Sequence, residues 1–227
     1  MIKKKKVLFI IGSPKHTDST SGSLGDYLSD KLISGGLIVD KMFAHKSIKS
    51  EETKFSLIKM VNGSDIVVFI FPLYVDSLPY PVIKVMELIK EKIKKNGTLE
   101  KKRMISIVNC GFPESSQNET ALRICRKFAD ETGFIWNGGL SMGGGGVIGG
   151  RSLKGVGRVA RNVVRSLDLV SDALITGENI PEEAVKLMAK PIVPKWIYNF
   201  IADNGWKRAA KKYGTQKNLK DRPYKRQ

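Results

Sequence analysis

The sequence predicts an α/β fold built on a doubly wound parallel sheet with a C-terminal helical extension. Three observations predict it. Short, continuous apolar runs alternate with stretches of helical periodicity. One such run, residues 7–11, has no polar face and so suits a strand buried on both sides. The length, 227 residues, fits one large α/β domain with an extension better than two full domains.

Taken in order, residues 7–11 (VLFII) read as the first strand, ending at Gly12-Ser13-Pro14. Residues 24–33 put Leu24, Tyr27, Leu28 and Leu32 on one helical face, and Gly35-Gly36 stops that helix. Residues 37–43 form a short second strand and 51–61 a second helix. The clearest strand is 65–71 (DIVVFIF), closed by Pro72. A helix over 81–95 carries the stripe Val82, Met86, Ile89 and Ile93. Residues 104–108 are the fourth strand, 117–132 the fourth helix and 134–140 the fifth strand. A Gly-rich stretch then leads to one helix over about 153–175. This alternation gives a parallel sheet covered on both faces. Five strands suit the flavodoxin-like order 2-1-3-4-5. We expect one domain over 1–180 and a basic, aromatic-rich helical extension over 181–227, its last dozen residues disordered.

Composition removes several functions. Hydrophobic residues at 41% and charged residues at 27% exclude a wholly disordered chain. Two cysteines, Cys110 and Cys125, cannot build a disulfide framework or a four-cysteine metal or iron–sulfur site. Two histidines, His16 and His45, leave little for a metal centre, and we assign no metal ligand. The N-terminal apolar run is too short for a signal segment, and no stretch reaches the length of a membrane span. A soluble, reducing, cytoplasmic setting is expected. The net charge of +17 points to an anionic partner. Residues 191–227 hold ten Lys or Arg against two Asp, so they carry +8 of it.

In an open α/β sheet, ligands sit outside the carboxyl ends of the strands near the switch in strand order. Here that means the loops after strands 1, 3 and 4. The first holds five hydroxyls within residues 17–23 and runs straight into a helix. Hydroxyls, free amides, a helix dipole and the charge of Lys15 together make an anion site. The spacing is not that of a nucleoside-triphosphate loop, so a monophosphate fits better. The second loop, 71–81, is stiffened by Pro72, Pro79 and Pro81 and presents Tyr74 and Tyr80, which suits gripping a flat ring. The third, Asn109-Cys110-Gly111-Phe112-Pro113, leads into a helix whose N-terminus would favour negative charge on a bound ring. Cys110 has no histidine nearby in sequence and is read as a buried thiol, and no catalytic side chain is assigned.

These residues resemble a known family. Gly12-Ser13-Pro14-Lys15 with the Ser/Thr cluster looks like the phosphate loop of the NAD(P)H-dependent FMN reductases, where Arg usually stands at the position of Lys15. Pro72-Leu73-Tyr74-Val75-Asp76-Ser77-Leu78-Pro79 resembles their second flavin loop, and 109–113 the third. The resemblance spans about residues 5–175. It lacks the cysteine cluster of the iron–sulfur flavoprotein branch. It implies FMN as cofactor, NADH or NADPH as electron donor, a homodimer, and an acceptor such as a quinone, nitroaromatic, ferric chelate or flavin. It implies that Ser13, Lys15, Ser19, Thr20, Ser21 and Ser23 hold the phosphate. Pro72, Leu73, Tyr74, Val75, Asp76 and Leu78 would frame the ring on one side, and Asn109, Cys110, Gly111 and Phe112 on another.

Two alternatives stay open on the residues. One is a flavodoxin-like electron carrier without NAD(P)H turnover, against which the basic charge speaks. The other is docking to an anionic membrane or nucleic acid through the tail, which carries no usual nucleic-acid-reading motif. Trp196, Ile197, Phe200 and Ile201 share one helical face there; Trp206, Ala209, Ala210 and Tyr213 share another. Packing of these faces on the protein itself or on a second subunit is the favoured reading, with peripheral membrane contact as the alternative. Gly144-x-Gly146-x-x-Gly149 imitates a dinucleotide fingerprint but follows the fifth strand, so a lid or a dimer contact is expected there. Arg151, Lys154, Arg158, Arg161 and Arg165 are expected to form one basic helical stripe.

Overall fold

The computed structural model describes residues 4–15, 18–96 and 102–222. Contacts divide the chain into two units, Met1–Ile192 and Val193–Gln227. The larger unit contains β1 (Lys6–Ile11), α1 (Thr20–Ser34), β2 (Ile38–Phe43), α2 (Ala44–Ser47), α3 (Glu51–Gly63), β3 (Ile66–Pro72) and α4 (Tyr80–Asn96). It continues with β4 (Arg103–Asn109), α5 (Glu119–Thr132), β5 (Ile135–Met142), α6 (Leu153–Val156), α7 (Arg161–Thr176) and α8 (Glu182–Ala189). The smaller unit holds α9 (Lys195–Lys212) and a 3-10 turn at Gln216–Asn218.

The five strands form one sheet of order β2-β1-β3-β4-β5, parallel at every pairing. This is the order expected. The apolar runs explain it: β1 and β3 must hide both faces, and only central positions between two helical layers allow that. Val7, Phe9 and Ile11 join a core with Leu24 and Leu28 of α1, Leu167 and Leu174 of α7, and Ala184 and Met188 of α8. Leu8 and Ile10 point the other way, into a core with Leu57 of α3, Val82 and Ile89 of α4, and Cys125 and Phe128 of α5.

Three details depart from the sequence expectation. First, α1 begins at Thr20, four residues before its apolar stripe, because Ser19 caps it and Thr20, Ser21 and Ser23 are buried. Second, the single helix expected over 153–175 is broken. Gly157 takes φ +69° after α6, and a 3-10 turn leads into α7. The basic residues there do not form one stripe. Arg151 Nε donates to the Ile148 carbonyl (3.3 Å), and Arg165 pairs with Glu183 of α8 (2.7 Å). Third, α8 lies with the larger unit. It buries Ala184, Leu187 and Met188, and its Ala184 carbonyl accepts the Ser166 hydroxyl (2.6 Å). The division between units therefore falls at 192/193, where a boundary at 180/181 was expected.

Candidate functional site

Strand order reverses between β1 and β3, and the loops at their carboxyl ends meet there. Gly12 makes the meeting close. Its N–H donates to the Ile70 carbonyl (2.8 Å), and an added Cβ would stand 2.4 Å from Val82 Cγ2 and 2.5 Å from Phe71 Cβ. Ser13 is buried, and its Oγ accepts the Lys15 N–H (3.3 Å), while the Lys15 side chain is exposed. His16 and Thr17 lie outside the described residues.

The hydroxyls at the start of α1 do different work. Ser19 Oγ accepts the Gly22 N–H (3.0 Å) as helix cap. Thr20 donates to the Gly145 carbonyl (2.7 Å) and Ser23 to the Ser19 carbonyl (3.2 Å). Ser21 Oγ accepts from Asn109 Nδ2 (2.8 Å). A hydroxyl that accepts keeps its own hydrogen to donate. Ser13 and Ser21 are thus equipped to meet an anion, whereas Thr20 and Ser23 hold the protein together. The first-turn amides and the positive end of the α1 dipole act in the same direction.

The loop after β3 is tied down at both ends. Leu73 N–H donates to the Asn109 carbonyl (2.7 Å), and Leu78 is buried. Tyr74 and Ser77 exchange both backbone hydrogen bonds (3.0 Å each), so Val75 and Asp76 form a two-residue turn. Both have left-handed backbones, at φ +48° and +55°. Two-residue turns of this kind favour Asn and Gly; a β-branched residue there is strained. Val75 is 98% exposed, so no packing of its side chain compensates. Val75→Asn should raise the stability of the larger unit by about 1 kcal/mol. A urea melt checks it; a variant less stable than the parent would show that the turn carries no strain.

Asn109 ties the three loops together. It is buried, and its Nδ2 reaches both Ser21 Oγ (2.8 Å) and the Phe71 carbonyl (3.1 Å). Beyond it, Gly111 and Phe112 are exposed at the cleft. Cys110 is not exposed with them. Its Sγ faces the carbonyls of Phe112 (3.5 Å) and Glu114 (3.6 Å), and burial pushes the thiol pKa above its ordinary value. Burial pushes Cys125 up to about 12. Neither thiol is an activated nucleophile. The helix after this loop is preceded by a 3-10 turn, Ser115–Asn118, so α5 starts only at Glu119.

One participant escaped the sequence reading, and another was read there only as a lid or a dimer contact. Asn118 is fully buried, and its Nδ2 lies within reach of the Val108 carbonyl (3.3 Å), Ser141 Oγ (3.0 Å) and the Met142 carbonyl (3.1 Å), binding the ends of β4 and β5. The second is the Gly-rich segment 143–150. Gly144 N–H donates to the Phe112 carbonyl (2.6 Å) and Gly145 N–H to the Cys110 carbonyl (2.8 Å). A Cβ on Gly143 would stand 2.3 Å from the Pro113 carbonyl oxygen, and one on Gly150 would stand 2.6 Å from the Asp18 carbonyl carbon. The segment is wedged between the first and third loops, and its glycines answer to that wedge. It turns into a three-residue 3-10 element, Gly145–Val147. Among the described residues, no group of three His, Cys, Asp or Glu side chains is placed to hold a metal ion.

No family model matches the sequence, and no curated protein matches it. Solved structures do. An FMN-dependent NADH-azoreductase from Bacillus anthracis, in complex with FMN, superposes with a TM-score of 0.58 at 13% identity, covering 75% of this chain and 99% of that one. A Klebsiella pneumoniae protein assigned as a quinone reductase gives 0.54 at 16% identity, covering 78% of this chain and 88% of that one. A second Bacillus anthracis azoreductase gives 0.52 at 13% identity, covering 72% and 99%. Strand order and these superpositions together identify the larger unit as a flavodoxin-like α/β fold.

Proposed function

We propose that the protein is an FMN-dependent NAD(P)H oxidoreductase whose acceptor is a flat aromatic such as a quinone. One observation carries the reading. The three loops that resemble the flavin loops of NAD(P)H-dependent FMN reductases converge at the switch point, joined through Asn109 to Ser21 and Phe71. The residues present fit FMN. Its phosphate would meet the hydroxyls of Ser13 and Ser21, the first-turn amides of α1 and the charge of Lys15. Its ring would lie against the 72–76 turn and the 109–112 loop, where Tyr74, Val75 and Phe112 stand exposed. The superposed azoreductase holds FMN and is named for NADH, which supports both assignments.

Bound FMN supplies two-electron chemistry, taking hydride from NAD(P)H and passing reducing equivalents to the acceptor. The chain supplies position and field. The left-handed turn presents the backbone of Val75 and Asp76. The exposed apolar side chains of Val75 and Phe112 offer a flat substrate surface to stack against and lower water access. Lys15 and the α1 dipole stabilise negative charge at the phosphate end.

Purified protein should be mixed with FMN, dialysed and scanned, then given NADH or NADPH with a soluble quinone. Retained flavin absorption and catalytic oxidation of the nicotinamide are expected. No retained flavin overturns the reading. Retained flavin with no nicotinamide oxidation overturns the enzyme and leaves the electron carrier.

A further inference from the structure

The smaller unit, Val193–Gln227, is built on helix α9 and holds none of the three loops. Helix α9 has 18 residues and is about 27 Å long. Trp196, Phe200, Trp206 and the following Tyr213 are all strongly exposed, between 67% and 74%. Single exposed apolar side chains are ordinary, but four large aromatics along one helix are not. Lys207, Arg208, Lys211 and Lys212 crowd the same segment, with Asp203 its only acid. No ion pair found among the described residues engages Lys207, Arg208 or Lys211.

Helical geometry sorts these side chains. Trp206 and Tyr213, two turns apart, share one line; Trp196 and Phe200, one turn apart, share another, about 110° away. At 100° per residue Lys207 falls on the second line and Lys211 about 40° beyond it, Arg208 and Lys212 face away from both lines, and Asp203 lies between the two lines. We propose that this unit docks the protein on an anionic phospholipid bilayer, with α9 lying in the headgroup layer.

The arrangement favours a layer over a strand of nucleic acid. Two aromatic lines spread over a wide arc can all enter a planar apolar layer. A single strand stacks on aromatics aligned along one groove. Trp and Tyr rings suit the interface, with an apolar body and one polar atom. No described helix is long and apolar enough to cross a membrane, so the contact is in-plane. Lys207, on the second aromatic line, and Lys211, at its outer edge, extend their long side chains to lipid phosphates at the level of the headgroups.

The test uses the full-length protein and two sets of large vesicles: phosphatidylcholine alone, and phosphatidylcholine with roughly one third phosphatidylglycerol. Cosedimentation with the anionic set only is expected, with a blue shift of tryptophan emission. Raising the salt from about 0.1 M to about 1 M should release the protein. Lys207→Ala with Lys211→Ala should weaken binding about 25-fold, at about fivefold for each cation. Phe200→Ala with Trp206→Ala should weaken it at least about tenfold. Both pairs should melt with the parent, since these side chains are exposed. Equal sedimentation with both vesicle sets overturns the proposal. So does anionic binding that ignores the aromatic substitutions, which would be charge adhesion alone. Tighter retention on single-stranded DNA than on the anionic vesicles would assign the surface to nucleic acid instead.

Discussion

Gly12→Ala is expected to destabilise the larger unit by about 3 kcal/mol and to lower its melting temperature by roughly 10 °C. The added carbon would sit 2.4 Å from Val82 Cγ2 and 2.5 Å from Phe71 Cβ. Val82 is fully buried in the first turn of α4 and has nowhere to go. Phe71 Cβ is one bond from its own backbone, so relief requires β1 and β3 to separate just where the Gly12 N–H bonds the Ile70 carbonyl. Those strand ends carry the first and second loops, and flavin retention should fall with stability. Gly111→Ala is the control. A Cβ there meets nothing within 4 Å, so its melting point should stay with the parent's. If Gly12→Ala also melts with the parent, the close approach of β1 to β3 is not a feature of the protein.

Asn109→Leu should cost about 2–3 kcal/mol and abolish flavin retention. Leucine fills a similar volume but donates nothing. The Phe71 carbonyl loses its side-chain partner, and Ser21 Oγ loses the group that orients it. Asn109→Asp separates the two effects. At neutral pH its carboxylate would face the Phe71 carbonyl, acceptor against acceptor. As pH falls the carboxyl gains a proton and can donate again, so FMN affinity should rise toward the parent's under acid. Titrating FMN into both variants, beside thermal melts, checks these expectations. Normal affinity in Asn109→Leu would show that the three loops need no common tie.

The architecture could be read because burial on both faces leaves a direct mark. Residues 7–11 and 66–71 are continuous apolar runs, and they lie in the central strands β1 and β3. The three loops were found for a related reason, since switch-point geometry says where to look before any residue is named. What escaped depends on contacts distant in the chain. Asn118 looks like any helix-start asparagine until β4 and β5 place their carbonyls around it. The Thr20 hydroxyl meets the Gly145 carbonyl across 125 positions, and no local pattern reports that. The left-handed turn at Val75 and Asp76 was hidden because the β-branched Val75 disfavours it, so tertiary constraint overrides preference there. Gly157 breaks a helix whose charges alone read as continuous.

The wedge of residues 143–150 has a consequence for how the protein is made. The first loop leaves the ribosome early, but the carbonyl that engages Thr20 belongs to Gly145. At about 5–20 residues per second, roughly 6 to 25 seconds separate the two. During that interval β1, β3 and β4 can pair while the start of α1 still lacks its cover. A nascent chain halted before Gly143 would carry all three loops yet not the piece that seats them. Translation pauses upstream of that point lengthen the time the start of α1 spends without its Gly145 partner.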